Sequence, residues 1–244
     1  MSKIHVVLKK EEVSNEKVEG KIAVVFDVLL ATSTITASIH YGANCVIPVM
    51  DQEEAKKAAN ERNNDDDVLV GEYEGRAIDG FLVPNPVMIR DQVKGKNVIL
   101  STTNGTVAIH KASGADHIYI SSLLNCKSIA EVINERHQDE TIVIICSGSS
   151  NEFCLEDFYG AGCIIEHLLA DQESNWELTD SARAARLFFS AYKEQGKNVL
   201  KDSYVGQMLI HFDCEEEIDF VASQDILPIV AVYDQKNKKV VKEE

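Results

Sequence analysis

The sequence has no apolar segment long enough to cross a membrane and no hydrophobic signal-peptide segment, although 45% of its 244 residues are hydrophobic. It is also short of basic residues, because 24 lysines and arginines stand against 40 acidic residues and give a formal net charge of -16. Such a charge repels a nucleic-acid backbone. We therefore expect a cytoplasmic globular protein without a membrane or nucleic-acid partner.

Several sequence signatures of phosphate chemistry are missing as well. Neither GxxxxGK[ST] nor GxGxxG occurs, so both nucleotide-binding fingerprints are absent. A thiolate phosphatase places an arginine six residues after its cysteine, but Glu152 stands six residues after Cys146. An aspartyl-phosphate enzyme uses a second acid two residues after the nucleophile, but Leu29 holds that place after Asp27. Since the six cysteines form no CxxC pair, buried free thiols are expected.

The segment FDVLLATSTITAS, residues 26–38, joins an acid to a cluster of hydroxyl groups. The apolar run 22–26 predicts a buried strand, and Asp27 stands where that strand ends. Thr32, Ser33 and Thr34 precede the next apolar positions, which predicts a helix whose first backbone N–H groups are free. The sequence therefore predicts that a carboxylate, several hydroxyl groups and a positive helix end meet at one place.

Two stretches of the chain share a pattern of strand, hydroxyl-rich turn, helix, Gly-Ala and strand. They are VVFDVLLATSTITASIHYGANCVIPV and VILSTTNGTVAIHKASGADHIYISS, and their similar spacing indicates an internal duplication. A looser third copy begins with TIVIIC at residue 141. Strands that alternate with helices predict a single α/β domain over residues 1–244, with 1–95 and 96–244 as candidate halves. We expect a mostly parallel or mixed sheet covered by helices on both faces.

Three further segments are predicted to lie outside the regular core. Residues 9–20 are charged and predict a surface loop or irregular helix. Residues 71–90 contain glycine and proline without clear periodicity, which indicates an ordered loop over a cleft. The charged stretch from residue 234 onward predicts a frayed end.

The acids at the predicted strand ends suit a hard divalent cation. Asp27, Glu72 and one or both of Glu156 and Asp157 offer carboxylate oxygens of the kind that Mg²⁺ prefers. Each also has a structural interpretation: Asp27 can cap a helix, Glu72 can be a solvated loop acid, and the other two can favour a helix dipole. The two hydroxyl-rich turns, the second of which is Ser101–Thr106, are richer in hydroxyls than capping requires and predict an anion cradle.

Four strings, FDVLLATSTITASIHYGA, GEYEGRAIDGFLVPNP, LSTTNGTVAI and CSGSSNEFCLEDFYGAG, together resemble the 2-phosphosulfolactate phosphatase family. The resemblance implies a three-layer α/β/α fold and a Mg²⁺-dependent phosphatase that hydrolyses 2-phospho-3-sulfolactate to 3-sulfolactate and phosphate. It assigns site roles to these matching positions: Asp27, Thr32, Ser33, Thr34, Glu72, Ser101, Thr102, Thr103, Asn104, Gly105, Thr106, Ser147, Glu156 and Asp157.

The sequence departs from the family pattern at two positions, Leu30 and Val107, where the family usually carries arginine. Each change removes a bidentate cation from the edge of an anion site. Two hypotheses follow. The first is a phosphatase in which Asp27, Glu72 and Asp157 position Mg²⁺ against a small anionic phosphorylated substrate. The second is a non-catalytic small-anion-binding homologue. For either, a homodimer is expected from the frequency of such assemblies alone.

Overall fold

The computed structural model of the chain describes residues 2–170 and 176–243. In these residues eleven strands form one sheet: β1 (Lys3–Val7), β2 (Ile22–Phe26), β3 (Cys45–Val49), β4 (Asp67–Tyr73), β5 (Arg76–Ala77), β6 (Asn97–Ser101), β7 (His117–Ser121), β8 (Ile142–Cys146), β9 (Glu177–Leu178), β10 (Ala231–Asp234) and β11 (Lys239–Lys242). The α-helices are α1 (Asn15–Val18), α2 (Ala31–His40), α3 (Gln52–Arg62), α4 (Gly105–Lys111), α5 (Cys126–Arg136), α6 (Leu155–Leu168), α7 (Asp180–Tyr192), α8 (Gly196–Asp202), α9 (Tyr204–His211) and α10 (Glu215–Val221). Short 3₁₀ helices lie at Lys10–Glu12, Met88–Asp91 and Lys193–Gln195.

The sheet is mixed, and its strands follow the order β5-β4-β6-β3-β11-β10-β7-β2-β8-β1-β9. Strands β4, β6 and β3 form one parallel block. Strands β7, β2, β8, β1 and β9 form a second parallel block. The β10–β11 hairpin joins the two blocks by antiparallel pairings, so the prediction of a mostly parallel or mixed sheet is confirmed.

Both faces of the larger block are covered because its strands are continuous runs of apolar residues. In β2 every residue is buried. Ile22, Val24 and Phe26 face a core shared with helices α5 to α10, whereas Ala23 and Val25 face a core shared with α2 and α4. This alternation produces the three-layer α/β/α architecture that the sequence predicts.

The two predicted copies occupy related places in the sheet. The first copy is β2-α2-β3 and the second is β6-α4-β7. Strand β2 pairs with β7 in the larger block, and β3 pairs with β6 in the smaller block, so each copy contributes one strand to each block. The copies also share a hydrogen-bond pattern. The Thr32 hydroxyl donates to the Asp27 carbonyl at 2.9 Å and accepts the Asp27 N–H at 3.0 Å. The Thr106 hydroxyl likewise donates to the Thr102 carbonyl at 2.9 Å and accepts the Thr102 N–H at 3.3 Å. Position 27 therefore corresponds to position 102.

One of the peripheral predictions is wrong and one is confirmed. The segment from residue 234 onward is not frayed, because β11 lies between β3 and β10 and its Val240 is fully buried. The sequence conceals this strand, because it has only two adjacent valines between lysines. Residues 9–20 hold a 3₁₀ turn and the short α1, which agrees with the predicted irregular helix, although Lys10 is only 7% exposed. Within residues 2–170 and 176–243, no helix combines the length and apolarity that a membrane crossing requires.

Candidate active site

A cavity of about 420 Å³ opens where the turns that follow β2 and β6 meet. The β4–β5 hairpin, the loop that contains Val83, helix α9, and Ser149 and Ser150 of the turn after β8 complete its walls. Five of the predicted site residues line it: Asp27, Glu72, Thr102, Thr103 and Asn104. The prediction that separate turns converge over one cleft is thus met by the geometry.

Asp27 follows β2 and is 8% exposed, with its carboxyl group at the cavity. Its Oδ1 accepts the N–H of Ala31 at 3.4 Å. Burial raises the pKa of Asp27 well above its ordinary value, and the negative charges of Asp157 and Glu72 raise it further. A carboxyl group in this position favours either a proton or a bound cation.

Asp157 and Glu156 lie behind Asp27, in the first turn of α6, and do not line the cavity. The Asp157 carboxylate accepts the N–H of Val28 at 2.8 Å and that of Gly148 at 3.0 Å, so it ties the turn after β2 to the turn after β8. Burial raises the pKa of Asp157 to about 8, and the neighbouring Glu156 charge adds to this shift. Burial likewise raises the pKa of Glu156 to about 7.

Glu72 fixes the mouth of the cavity through backbone hydrogen bonds. Its Oε1 accepts the N–H of Thr103 at 2.7 Å, and its Oε2 accepts the N–H of Gly75 at 2.7 Å. The carboxylate therefore joins the β4–β5 hairpin to the turn after β6. Because β4 runs on to Tyr73, Glu72 lies in a strand rather than in the predicted loop.

The hydroxyl groups of the first turn do not line the cavity, so the phosphate-binding role of Thr32, Ser33 and Thr34 stays a prediction from the sequence. Helix α2 begins at Ala31, so Thr32, Ser33 and Thr34 lie inside its first turn and are fully buried. Thr32 donates to the Asp27 carbonyl and Ser33 to the Val28 carbonyl, at 2.9 and 2.8 Å. These contacts shape the turn. From this turn the cavity is instead lined by Leu29, Leu30 and Ala31.

The same holds for part of the second and third turns. Ser101, Thr106 and Ser147 are buried and do not line the cavity. The Thr106 N–H donates to the Thr102 hydroxyl at 3.2 Å, which caps α4. The Ser147 N–H donates to the Phe26 carbonyl at 2.8 Å, which holds the ends of β2 and β8 together. Thr102, Thr103 and Asn104 remain as the polar lining of this wall.

Lys10 is a site residue that the sequence does not reveal. Its ammonium group donates to Asn104 Oδ1 at 2.9 Å and pairs with Glu11 at 2.9 Å. An ammonium group can only donate, so it fixes the amide with its oxygen toward Lys10 and its NH₂ group free to donate to a ligand. The charge of Lys10 also acts to lower the pKa of Asp27. A lysine after an apolar strand carries no local signal of such a role.

The chemistry of the donor set fits Mg²⁺ at Asp27. A buried carboxyl group with two further acids nearby has an unfavourable concentration of negative charge that a divalent cation relieves. Magnesium is commonly held by one or two carboxylates together with water and substrate oxygens. Asp27 and Glu72, which both line the cavity, are the residues that would hold it, whereas Asp157 and Glu156 support the turns from behind.

One group of three potential ligand atoms within 4.8 Å of one another occurs in the described part of the chain, and it does not include these acids. It comprises His117, His137 and Glu140. His117 begins β7 and pairs with Ile22, so the group lies at the end of the sheet opposite Asp27. Both ring nitrogens of His137 already have partners, Tyr119 Oη at 3.0 Å and Glu140 at 2.7 Å.

Cys146 has no nucleophilic role in this arrangement. It is fully buried, and burial together with the charges of Asp157 and Glu156 raises the pKa of its thiol well above the ordinary value. The thiol therefore stays protonated. This agrees with the expectation of buried free cysteines, since five of the six are buried and Cys214 is half-buried.

Comparison with known proteins gives one consistent result. The family model described as 2-phosphosulpholactate phosphatase matches residues 7–236. A probable 2-phosphosulfolactate phosphatase of Clostridium perfringens (strain 13 / Type A) is 35% identical over 242 residues, which cover 98% of this chain and 95% of that protein. The protein of the same name from Clostridium acetobutylicum is 36% identical over 233 residues, with coverages of 95% and 97%. That from Symbiobacterium thermophilum is 34% identical over 220 residues, with coverages of 89% and 93%.

These relatives carry the name of an enzyme, and nothing among them supports the alternative of a non-catalytic binding homologue. The match extends over both copies of the strand–turn–helix unit and over the turns that form the cavity. The chain therefore belongs to the 2-phosphosulfolactate phosphatase family, a family of phosphoric monoester hydrolases.

Proposed function

We propose that this chain is a Mg²⁺-dependent phosphatase that hydrolyses 2-phospho-3-sulfolactate, or a similar small phosphorylated hydroxy acid, to the free hydroxy acid and phosphate. The observation that carries the proposal is the position of Asp27. Its buried carboxyl group, with a strongly raised pKa, lies at the cavity between the start of α2 and the turn after β6. Family membership supports the reaction class.

Bound Mg²⁺ would supply Lewis-acid activation of the phosphoryl group and neutralise its developing charge. The chain's own residues would bind and orient the substrate. The start of α2, whose Leu30 cap position has no side-chain cap, offers a positive helix end to the phosphate oxygens. Asn104 offers its NH₂ group from the opposite turn. Glu72 and Asp157 hold the two turns and the hairpin in register through the N–H groups that they accept.

The reaction requires that water attack phosphorus as the ester bond breaks, and the hydroxy acid leaves as its alkoxide, which takes a proton. A cavity of about 420 Å³ holds a substrate of this size together with water. The cytoplasmic location and the homodimer stay predictions from the sequence, and neither enters the chemistry of the site.

Phosphate release from 2-phosphosulfolactate and from a panel of small phosphate monoesters tests the proposal. We expect turnover with Mg²⁺ and its loss on chelation. Asp27→Asn should lower kcat by on the order of 100-fold or more, whereas Asp116→Asn, at an exposed position remote from the cavity, should not change it. A folded protein that hydrolyses none of these esters with Mg²⁺ present would contradict the proposal.

A further inference from the structure

Two histidines and a glutamate meet at the end of the sheet that is remote from Asp27. His117 is the first residue of β7, and Tyr119, two residues later, faces the same side of the sheet, against which α5 packs. His137 follows directly after α5, and its imidazole ring lies with its centroid 4.5 Å from that of His117. With Glu140 they form what we call the histidine cluster. The whole of α5 separates the two histidines in sequence, so no local motif reveals the cluster.

The backbone places Glu140 against His137. The Glu140 N–H donates to the His137 carbonyl at 3.1 Å, which closes a tight turn after α5. In this turn Glu140 Oε1 lies 2.7 Å from His137 Nδ1, so one proton is shared between the two atoms. Two ligand atoms of a tetrahedral Zn²⁺ ion lie about 3.4 Å apart, so an ion that replaces the proton requires Glu140 to move by about 0.7 Å. The Glu140 side chain is 35% exposed and is free to make this movement.

Tyr119 supports the other ring nitrogen of His137. Its hydroxyl lies 3.0 Å from His137 Nε2, and a hydroxyl can donate or accept at that place. Burial raises the pKa of Tyr119, and the negative charges of Glu243 and Glu140 add to the shift, so the hydroxyl keeps its proton. When His137 Nδ1 binds an ion, Nε2 carries the ring proton and donates it to Tyr119 Oη. The hydroxyl thus fixes the tautomer that a metal-binding histidine needs.

The surroundings of the histidine cluster favour a cation. Arg136, which precedes His137, pairs with Glu243 at 2.8 Å, so its positive charge is neutralised. The second carboxylate oxygen of Glu243 is buried and has no hydrogen-bond partner in the described part of the chain. His117 is exposed, so an ion and a water ligand reach the cluster from solvent. Two imidazole nitrogens and one carboxylate suit Zn²⁺, whereas Mg²⁺ prefers oxygen ligands.

We propose that His117, His137 and Glu140 form a Zn²⁺ site whose fourth ligand is water. One ion binds, the proton shared by His137 and Glu140 leaves to solvent, and nothing is oxidised or reduced. The bound ion joins the first residue of β7 to the end of α5 and to the turn that precedes β8, so it stabilises this end of the sheet. The site is independent of the proposed phosphatase function, because Asp27 lies at the opposite end of the strands.

Zinc titration of the full chain against a chromophoric chelator, with Mg²⁺ in excess, tests the proposal. His117→Gln and Glu140→Gln should each lose one Zn²⁺ ion per chain or bind it about 100-fold more weakly. His40→Gln, at an exposed position at the end of α2, is the matched control and should bind Zn²⁺ as the wild type does. Equal zinc binding by the wild type and both cluster variants would overturn the proposal, and so would a wild-type chain that binds no Zn²⁺.

Two further measurements test the geometry of the site. Tyr119→Phe keeps the ring but removes the acceptor for His137 Nε2, so zinc affinity should fall by about 10- to 100-fold. Tyr233→Phe is the control, because this buried tyrosine of β10 packs in the core on the other face of the sheet. Equal losses in the two variants would overturn the role assigned to Tyr119. In thermal unfolding, Zn²⁺ should raise the Tm of the wild type but not that of His117→Gln, and an equal rise in both would overturn the proposed site.

Discussion

The Asp27 carboxylate lies so close to the backbone of Gly105 that a Cβ atom on residue 105 would be 2.7 Å from Asp27 Oδ2. The same Cβ would be 2.5 Å from the Cβ of Ala31. Asp27, which follows the strand of the first strand–turn–helix unit, therefore packs against Gly105, the first helical residue of the second unit. Because Thr102 stands where the second unit would carry the matching acid, the duplication presents a single acid at this junction.

Gly105→Ala should disrupt this junction. The added methyl group must displace the Asp27 carboxyl group or separate α4 from α2, so we expect a loss of stability of about 1–3 kcal/mol and a larger loss of Mg²⁺-dependent turnover. Denaturant unfolding and phosphate release measure the two effects. Gly114→Ala is the control, because its nearest neighbour, Asn15 Oδ1, lies 3.2 Å from the added Cβ and its backbone has no positive φ. Equal effects of the two variants on turnover would contradict the proposed role of the junction.

Lys10 should act by holding Asn104, so Lys10→Met is expected to lower kcat while the protein remains folded. The cause is the freed Asn104 amide, whose oxygen can then rotate toward the phosphate and repel it. We expect a loss of about tenfold. Lys10→Arg, which keeps a charged donor, should recover part of the activity. Lys9→Met is the matched control, since in the described residues the Lys9 ammonium donates only to the backbone carbonyl of Asn151. No difference between the two methionine variants would show that Asn104 does not need this donor.

Much of the fold was predictable because its strands are short, apolar and separated by glycine and hydroxyl-rich turns. The predicted strand 22–26, which leads to Asp27, has the bounds of β2. Strand β11 was missed because its two valines are flanked by lysines within a charged stretch, and that pattern resembles a polar tail. Helix α5, strand β9 and helix α8 also had no prediction.

The site was only partly predictable, for a different physical reason. Sequence identifies which residues follow a strand, but a hydroxyl group there can face a ligand or its own backbone. Thr32 and Ser33 bond to carbonyl groups five residues earlier, a choice set by the three-dimensional shape of the turn. Lys10 and Asn104 are 94 residues apart, and only tertiary packing brings them together. The acids were easier to predict as site residues. Burying a carboxyl group costs free energy, so an acid directly after a buried strand indicates a functional role.

The stability of the metal-free protein should fall as the pH rises. Glu156 has an ordinary pKa of 4.5 and a pKa of about 7 in the folded chain, so the folded state favours its protonated form. Its contribution is complete below about pH 4.5 and is lost as the pH rises through 7. We expect Glu156→Gln to remove on the order of 3 kcal/mol of this decline, measured by urea unfolding between pH 5 and 8 in a chelating buffer.

Glu135→Gln, at an exposed position on α5, is the control for that series and should leave the slope unchanged. Asp157 and Asp27 give part of the same decline, because their pKa values are also raised. Added Mg²⁺ should restore stability most at high pH, where the carboxylates are ionised and bind it best. A metal-free protein that becomes more stable between pH 5 and 8 would contradict the assigned burial of these acids.

The two positions where the family usually has arginine are expected to behave differently in this chain. Leu30 lines the cavity, whereas Val107 on α4 does not line it in the described residues. Leu30→Arg therefore adds a cation to the cavity lining, where it can pair with the sulfonate of the substrate. We expect it to raise kcat/KM for 2-phosphosulfolactate by about tenfold or more relative to that for 2-phospholactate, which has no sulfonate. Val107→Arg should change that ratio little.

Leu30→Met completes this comparison, since it keeps an apolar side chain of similar size at the start of α2 and should preserve the wild-type preference. The ratio of the two kcat/KM values is the appropriate measurement, because a partial loss of folded protein cancels from it. Equal shifts for Leu30→Arg and Val107→Arg would mean that added positive charge acts through the general field of an acidic protein. A shift confined to Leu30→Arg would mean that residue 30 contacts the third substituent of the substrate.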